Sequence, residues 1–129
     1  MKSSPLNPND PPSASSPRDN PCFSGGPDIA ALHVLADGGV SYLLPYAQFL
    51  SVERRPNPVL EREPDAPPEQ LLIRFARADV VVLGSGLGRL EIGLQKYELK
   101  FVKAADRRLA ATLNTHVAAV TVTFTKENL

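Results

Sequence analysis

The stretch Val80-Val81-Val82-Leu83-Gly84-Ser85-Gly86-Leu87-Gly88-Arg89 is where this sequence comes closest to chemistry. Its β-branched run reads as a strand, because branched side chains suit a pleated surface. Glycines at alternate positions then allow a sharp bend, and the following residues read as a helix. A helix start presents backbone N–H groups that can hold an anion, and Arg89 adds a cation. Gly84, Ser85, Gly86, Gly88 and Arg89 are therefore the candidate anion- or phosphate-binding residues. Ser85 also suits the N-cap of a helix beginning near Gly86. The competing reading of the same letters is a bend with no ligand.

Over about two dozen residues this stretch resembles the dinucleotide fingerprint of flavin and nicotinamide enzymes. The resemblance implies a parallel β-α-β unit with a diphosphate on the glycine turn and Asp106, 22 positions after Gly84, on the ribose. The pattern departs from the fingerprint at its third required glycine, where Arg89 stands. An arginine side chain there separates helix from strand, whereas glycine lets them pack. Only 23 residues follow Asp106, too few for further β-α units downstream. The strand before Gly84 is also tied to Leu71–Phe75 by the short connection "ARAD", which makes its neighbour antiparallel. The bend reading is therefore preferred, and no cofactor is expected.

The other chemically capable residues are scattered. His33 and His116 are the only histidines, and neither has a second ligand at metal-binding spacing. A lone histidine in an apolar strand is more often a packed residue than a base. The single cysteine, Cys22, sits among prolines and glycines without a local activator, and one cysteine makes neither an internal disulfide nor a thiolate zinc site. Ser85 is not in a G-x-S-x-G elbow. No catalytic residue and no metal site are expected. Arginines at 54, 55, 74, 77, 107 and 108 are offset by nearby acids. With no tryptophan and only eight Phe and Tyr in all, there is no stacking platform for nucleic acid.

The elements that would position these residues follow from periodicity. "IAALHVLADGGVSYLL" predicts strands at 29–36 and 40–44 about an Asp-Gly-Gly turn. After Pro45, "YAQFLSVERR" predicts a short turn and a strand ending at Arg54-Arg55. "PNPVLEREPDAPP" (56–68) predicts a surface loop. Leu71, Ile73 and Phe75 alternate and predict a strand hairpinned onto Val80–Leu83, which lacks alternation and so reads as central and covered on both faces. Leu87, Leu90, Leu94 and Tyr97 predict a helix over 87–97, although Leu90, Ile92 and Leu94 also alternate as a strand would. "LKFVKA" (99–104) and the alternation of Val120, Val122 and Phe124 with threonines predict two more strands, the last with one face in water.

Composition bounds the rest. The chain has 129 residues, 43% hydrophobic and 22% charged, with 14 basic and 14 acidic residues. That suits one domain. Zero net charge gives no pull toward nucleic acid or anionic membrane, and little repulsion between copies. Residues 1–27 hold seven of thirteen prolines and few large apolar groups, so they read as a flexible tail. Pro8 to Pro12 contain a P-x-x-P spacing that could engage a protein partner. No secretory signal or membrane span is visible, which makes the cytoplasm the default. The expectation is a single α+β domain over 28–129: a mainly antiparallel sheet of five to seven strands with one helix on one face. Its core comprises the helical stripe with Leu32, Val34, Tyr42, Leu44, Phe49, Leu72, Ile73, Phe75, Val81, Leu83, Phe101, Val120, Val122 and Phe124. Function is expected to be that of a non-enzymatic interaction module that self-associates as a homodimer, with the Gly84–Arg89 anion site as the alternative.

Overall fold

The computed structural model describes residues 20–125. Within them eight strands form two four-stranded sheets rather than one larger sheet. In chain order they are β1 (Phe23–Gly25), β2 (Ala31–Ala36), β3 (Val40–Pro45), β4 (Phe49–Pro56), β5 (Glu69–Phe75), β6 (Ala78–Ser85), β7 (Leu99–Lys103) and β8 (His116–Phe124). The one α-helix among the described residues, α1 (Gly88–Gln95), lies between β6 and β7 in sequence. The first sheet has the order β1-β7-β2-β3, the second β4-β5-β6-β8. All neighbours are antiparallel except β2 and β7. The class is α+β and mainly antiparallel, as the alternation implies; the division into two sheets corrects the single-sheet expectation.

Pro45 causes that division. It ends β3 where Leu44 still faces the core, and Tyr46–Gln48 make one 3₁₀ turn before the chain resumes as β4 in the other sheet. A proline has no N–H to extend a ladder, so a sheet boundary falls there naturally. Strand β8 then joins the sheets. One of its edges pairs with β6; on the other, Val120 O accepts from Asp37 N–H at 2.9 Å and Val117 O accepts from Ala105 N–H at 3.0 Å.

The core fills the space between the sheets. Leu32, Val34, Leu71, Ile73, Val80, Val82, Val102, Val117 and Val120 are all fully buried. Helix α1 touches both sheets, at β4 of the second and β7 of the first. Leu87, Leu90 and Leu94 point inward with no exposed surface. Each contributes about 1.5–3 kcal/mol by burial.

Several sequence expectations are corrected by the pleat. Val81, Leu83 and Leu72 lie on the outer face, half-buried, because Leu72 is opposite Val81 while Leu71 and Ile73 turn inward beside Val82 and Val80. The phase of three successive valines is unreadable until a neighbour fixes it. Phe101 is also on an outer face, opposite His33. Phe124 is 50% exposed and Tyr97 is 55% exposed. The helix stops at Gln95, with Tyr97 at φ +55°. There Tyr97 N–H donates to Leu94 O at 3.1 Å and Glu98 N–H to Gly93 O at 2.8 Å. This is the reverse turn that glycine usually makes at a helix end.

The fold also begins before Asp28. Phe23–Gly25 pair with β7, and Cys22 is wholly buried. The part of the expected tail from Asn20 onward therefore belongs to the structured chain; residues 1–19, including the P-x-x-P spacing, lie outside the described residues.

Candidate functional site

The glycine stretch spans the end of β6, the bend and the start of α1. Strand β6 lies between β5 and β8, antiparallel to both. The parallel β-α-β arrangement implied by the dinucleotide resemblance is therefore not built. The glycines have a sharper reason than flexibility. A Cβ on Gly84 would stand 2.0 Å from His116 O, and one on Gly86 would stand 2.0 Å from Asn114 O. The backbones of β6 and of the segment entering β8 approach so closely that a methyl group does not fit between them. Gly86 additionally holds φ +62°, a region costly for other residues. Thr115, 2% exposed, fastens this seam by donating its hydroxyl to Gly86 O at 2.8 Å.

The helix start is already served by the protein. Leu87 N–H donates to Glu69 Oε1 at 2.8 Å, so a carboxylate of β5 occupies the place an anion would take. Arg54 ties the arrangement together: its guanidinium is 3.8 Å from Glu69 Oε2 and 2.9 Å from Glu91 Oε1 in the first helical turn. Negative groups at a helix N-terminus complement its dipole. The N-cap position is Leu87, without a side-chain cap, and Ser85 is the last residue of β6. The N-cap assignment of Ser85 is thereby corrected. Arg89 is exposed on the first turn. Of the five candidates, Gly84 and Ser85 line a cleft, while Gly86, Gly88 and Arg89 lie outside its lining.

That cleft, about 920 Å³ and open to solvent, lies on the outer side of the second sheet. Leu83, Ala118 and Ala119 contribute strand residues, the segment Glu63–Pro68 forms one side, and Ala105, Arg107 and Ala110 belong to the other. Its first side is more organised than a bare loop. Asn57, 4% exposed, accepts from Val59 N–H at 3.3 Å and donates to Pro67 O at 2.8 Å, and its own N–H reaches Pro68 O at 3.0 Å. One buried amide closes the neck of the loop, and Pro58–Glu61 make a 3₁₀ turn inside it. On the opposite side Asp106 caps the 3₁₀ turn Arg107–Leu109 by accepting from Arg108 N–H at 2.9 Å. The Arg108 side chain beside Asp106 also holds its carboxyl below the usual carboxylate range.

The histidines and the cysteine divide as follows. His116 is 3% exposed, and its Nε2 lies 3.2 Å from Ala105 O and 3.1 Å from Asp106 O. Facing two carbonyl oxygens, Nε2 carries the proton and donates, which fixes the turn that frames the cleft. Cys22 Sγ accepts from Val117 N–H at 3.3 Å, and burial pushes its thiol above its ordinary value. Among the described residues no group of three His, Cys, Asp or Glu could hold a metal ion. Among the described residues no helix is long and apolar enough to cross a membrane.

A second surface emerges only from the topology. Ser24, Phe101, His33 and Leu43 are successive cross-strand neighbours over β1, β7, β2 and β3, so they form one row on the outer face of the first sheet. Lys103, Leu35 and Ser41 make the next row, and Ala31 with Pro45 flank the first on its other side. Leu43 is 68% exposed. Ala31, Leu35, Leu43 and Phe101 neither belong to the core nor pack against it. The only full charge in these rows is Lys103, whose Nζ lies 6.0 Å from the centre of the Phe101 ring.

The chain matches no protein-family model, no curated protein and no solved structure.

Proposed function

We propose that this protein is a non-enzymatic interaction module that associates with a second copy of itself through the outer face of its first sheet. The observation that carries the reading is the row Phe101–His33–Leu43 with Leu35 and Ala31 beside it, an apolar sheet face that leaves Leu43 68% exposed. Apolar side chains gathered on an outer sheet face, half-buried around one exposed leucine, are the kind of patch that marks a contact surface. Two such faces pack at about 10 Å between sheets, and a two-fold axis places each row against its own equivalent. Equal numbers of acidic and basic residues leave no net repulsion between copies. At the Gly84–Arg89 bend, by contrast, Glu69 already takes the N–H of Leu87, which weighs against an incoming anion.

The test is sedimentation equilibrium over about a hundredfold range of protein concentration, since mass action governs assembly. The expected result is a monomer–dimer equilibrium for the wild-type chain. Leu43→Glu should give a monomer at every concentration with an unchanged melting temperature measured at low concentration, because Leu43 is exposed and outside the core. A wild-type chain that stays monomeric throughout, or a Leu43→Glu variant that dimerises as well as wild type, defeats the reading.

A further inference from the structure

The cleft of the second sheet is independent of the dimer face, and its two sides are held by side chains that the apolar core does not use. Among the described residues the buried polar side chains are Asn57, Thr115 and His116. Asn57 donates to Pro67 O and so closes the loop that forms one side; His116 holds the carbonyls of Ala105 and Asp106 on the other. A buried polar group is costly unless it is bonded, and here two of them fix the cleft's sides before anything binds, as in most ligand sites. The floor has a peculiarity of its own. Leu83 pairs with Ala119 and Gly84 with Val117, so Ala118 is the extra residue of a β-bulge and has no partner on β6. A bulge takes that residue out of the ladder, and Ala118 lines the cleft between its neighbours. The charges at the rim are uncommitted too. Glu63 and Asp65 on one side and Arg107 on the other join no ion pair among the described residues. We propose that this cleft binds a short peptide with free ends, its ammonium toward Glu63 and Asp65, its carboxylate toward Arg107, and an apolar side chain on Leu83 and Ala119.

Each part of this ligand meets a matching group. Opposite charges on opposite sides orient a molecule that carries a cation at one end and an anion at the other, and a guanidinium takes a carboxylate through two parallel hydrogen bonds. Between the ends, the ligand's own peptide group finds the bulged backbone of Ala118 and the hydroxyl of Ser85, which also lines the cleft. The floor is aliphatic and made mostly of small residues, which leaves room for a side chain the size of leucine. Among the described residues no Phe or Tyr lines the cleft, so a nucleobase has no aromatic face to stack on. The volume of about 920 Å³ falls in the range of small-ligand sites, about 300–1,000 Å³.

The experiment titrates the full, isotope-labelled chain with the tripeptide alanyl-leucyl-alanine and follows amide chemical shifts. Saturable shifts should appear at Ala66, Leu83, Arg107 and Ala119, with Leu35 and Leu43 of the first sheet unmoved. The same tripeptide acetylated at its amino end and amidated at its carboxyl end has no charges, and it should bind about tenfold or more weakly, because charge-assisted bonds are lost at both ends. Arg107→Glu should weaken the free tripeptide by a similar factor without changing the melting temperature, since Arg107 is exposed and unpaired among the described residues. The double variant Glu63→Gln with Asp65→Asn should do the same from the other side. No saturable shift up to about 10 mM tripeptide, a capped tripeptide that binds as well as the free one, or full binding by Arg107→Glu overturns the proposal. Failure here leaves the dimer reading untouched, since sedimentation of Leu43→Glu tests a different face.

Discussion

Replacing Gly84 with alanine inserts one methyl group into a space where the structure has none. The added Cβ would lie 2.0 Å from His116 O and 3.0 Å from the His116 carbonyl carbon, whereas carbon–oxygen contacts between strands settle near 3.3–3.6 Å. The two backbones must therefore move apart by roughly 1.3 Å, more than a quarter of the ordinary strand separation of about 4.8 Å. Both colliding atoms are backbone, so no side chain can swing away. The displacement falls at the β-bulge between Leu83 and Gly84, and it strains the pairs Gly84–Val117 and Ser85–His116. Losing two ladder bonds costs about 2 kcal/mol, and overpacking adds about 1–3 kcal/mol. A total of about 3–5 kcal/mol is a large share of the 5–15 kcal/mol that holds a typical domain together. At roughly 4–8 °C per kcal/mol for a fold of this size, thermal denaturation should show the midpoint falling by at least about 12 °C. Gly26→Ala is the control: no atom lies within 4 Å of its Cβ and its φ is not positive, so its midpoint should stay or rise slightly. If Gly84→Ala melts within about 2 °C of wild type, a drop well under 1 kcal/mol, the close-approach explanation of this glycine is wrong.

Other outcomes follow from single contacts. Asn57→Ala removes the two side-chain hydrogen bonds at the neck of the 57–68 loop and leaves Pro67 O and Val59 N–H without these partners, while the backbone bond from residue 57 to Pro68 O is kept; it should cost about 1–3 kcal/mol in urea unfolding and open the loop to limited proteolysis. Cys22 should react with Ellman's reagent in the native state far more slowly than in urea, because it is buried and its thiol is pushed up; equal rates would contradict its placement. Tyr46 donates its hydroxyl to Leu99 O at 2.6 Å, and burial pushes its phenol up to about 12. Since the folded value is raised, the stabilisation linked to this group is complete below pH 10 and is lost as pH climbs from 10 toward 12. Tyr46→Phe should flatten that alkaline decline, seen as melting temperature against pH, and cost about 1 kcal/mol at neutral pH.

Strands and their partners were legible where apolar and polar residues alternate. Leu71, Ile73 and Phe75 turn inward as their spacing implies, and the threonines of β8 at 121 and 123 face water. The valine run of β6 carries no such phase, so which valines reach the core is decided by pairing with β5. The bend after Leu83 was readable as a need for glycine, but the collision partners, His116 O for Gly84 and Asn114 O for Gly86, are 32 and 28 residues away in the sequence and invisible locally. Cys22 and β1 were hidden for the same reason: three strand residues set among glycines and prolines are stabilised by β7, far along the chain. The apolar row on the first sheet takes one residue from each of four strands. No single segment announces it, and Phe101, read as core from its hydrophobicity, lies half-buried on an outer face.

The position of β8 bears on how the molecule is made. It is the last of the described strands to leave the ribosome, and it supplies both the second neighbour of β6 and the backbone partners of Asp37 and Ala105. Until it arrives, the second sheet lacks one strand, Asp37 and Ala105 lack their acceptors, and Val80 and Val82 are uncovered on that side, so the interior stays open until β8 has been made. Such long-range closure is slow, and the waiting intermediate is a natural client for chaperones that shield unpaired strand edges.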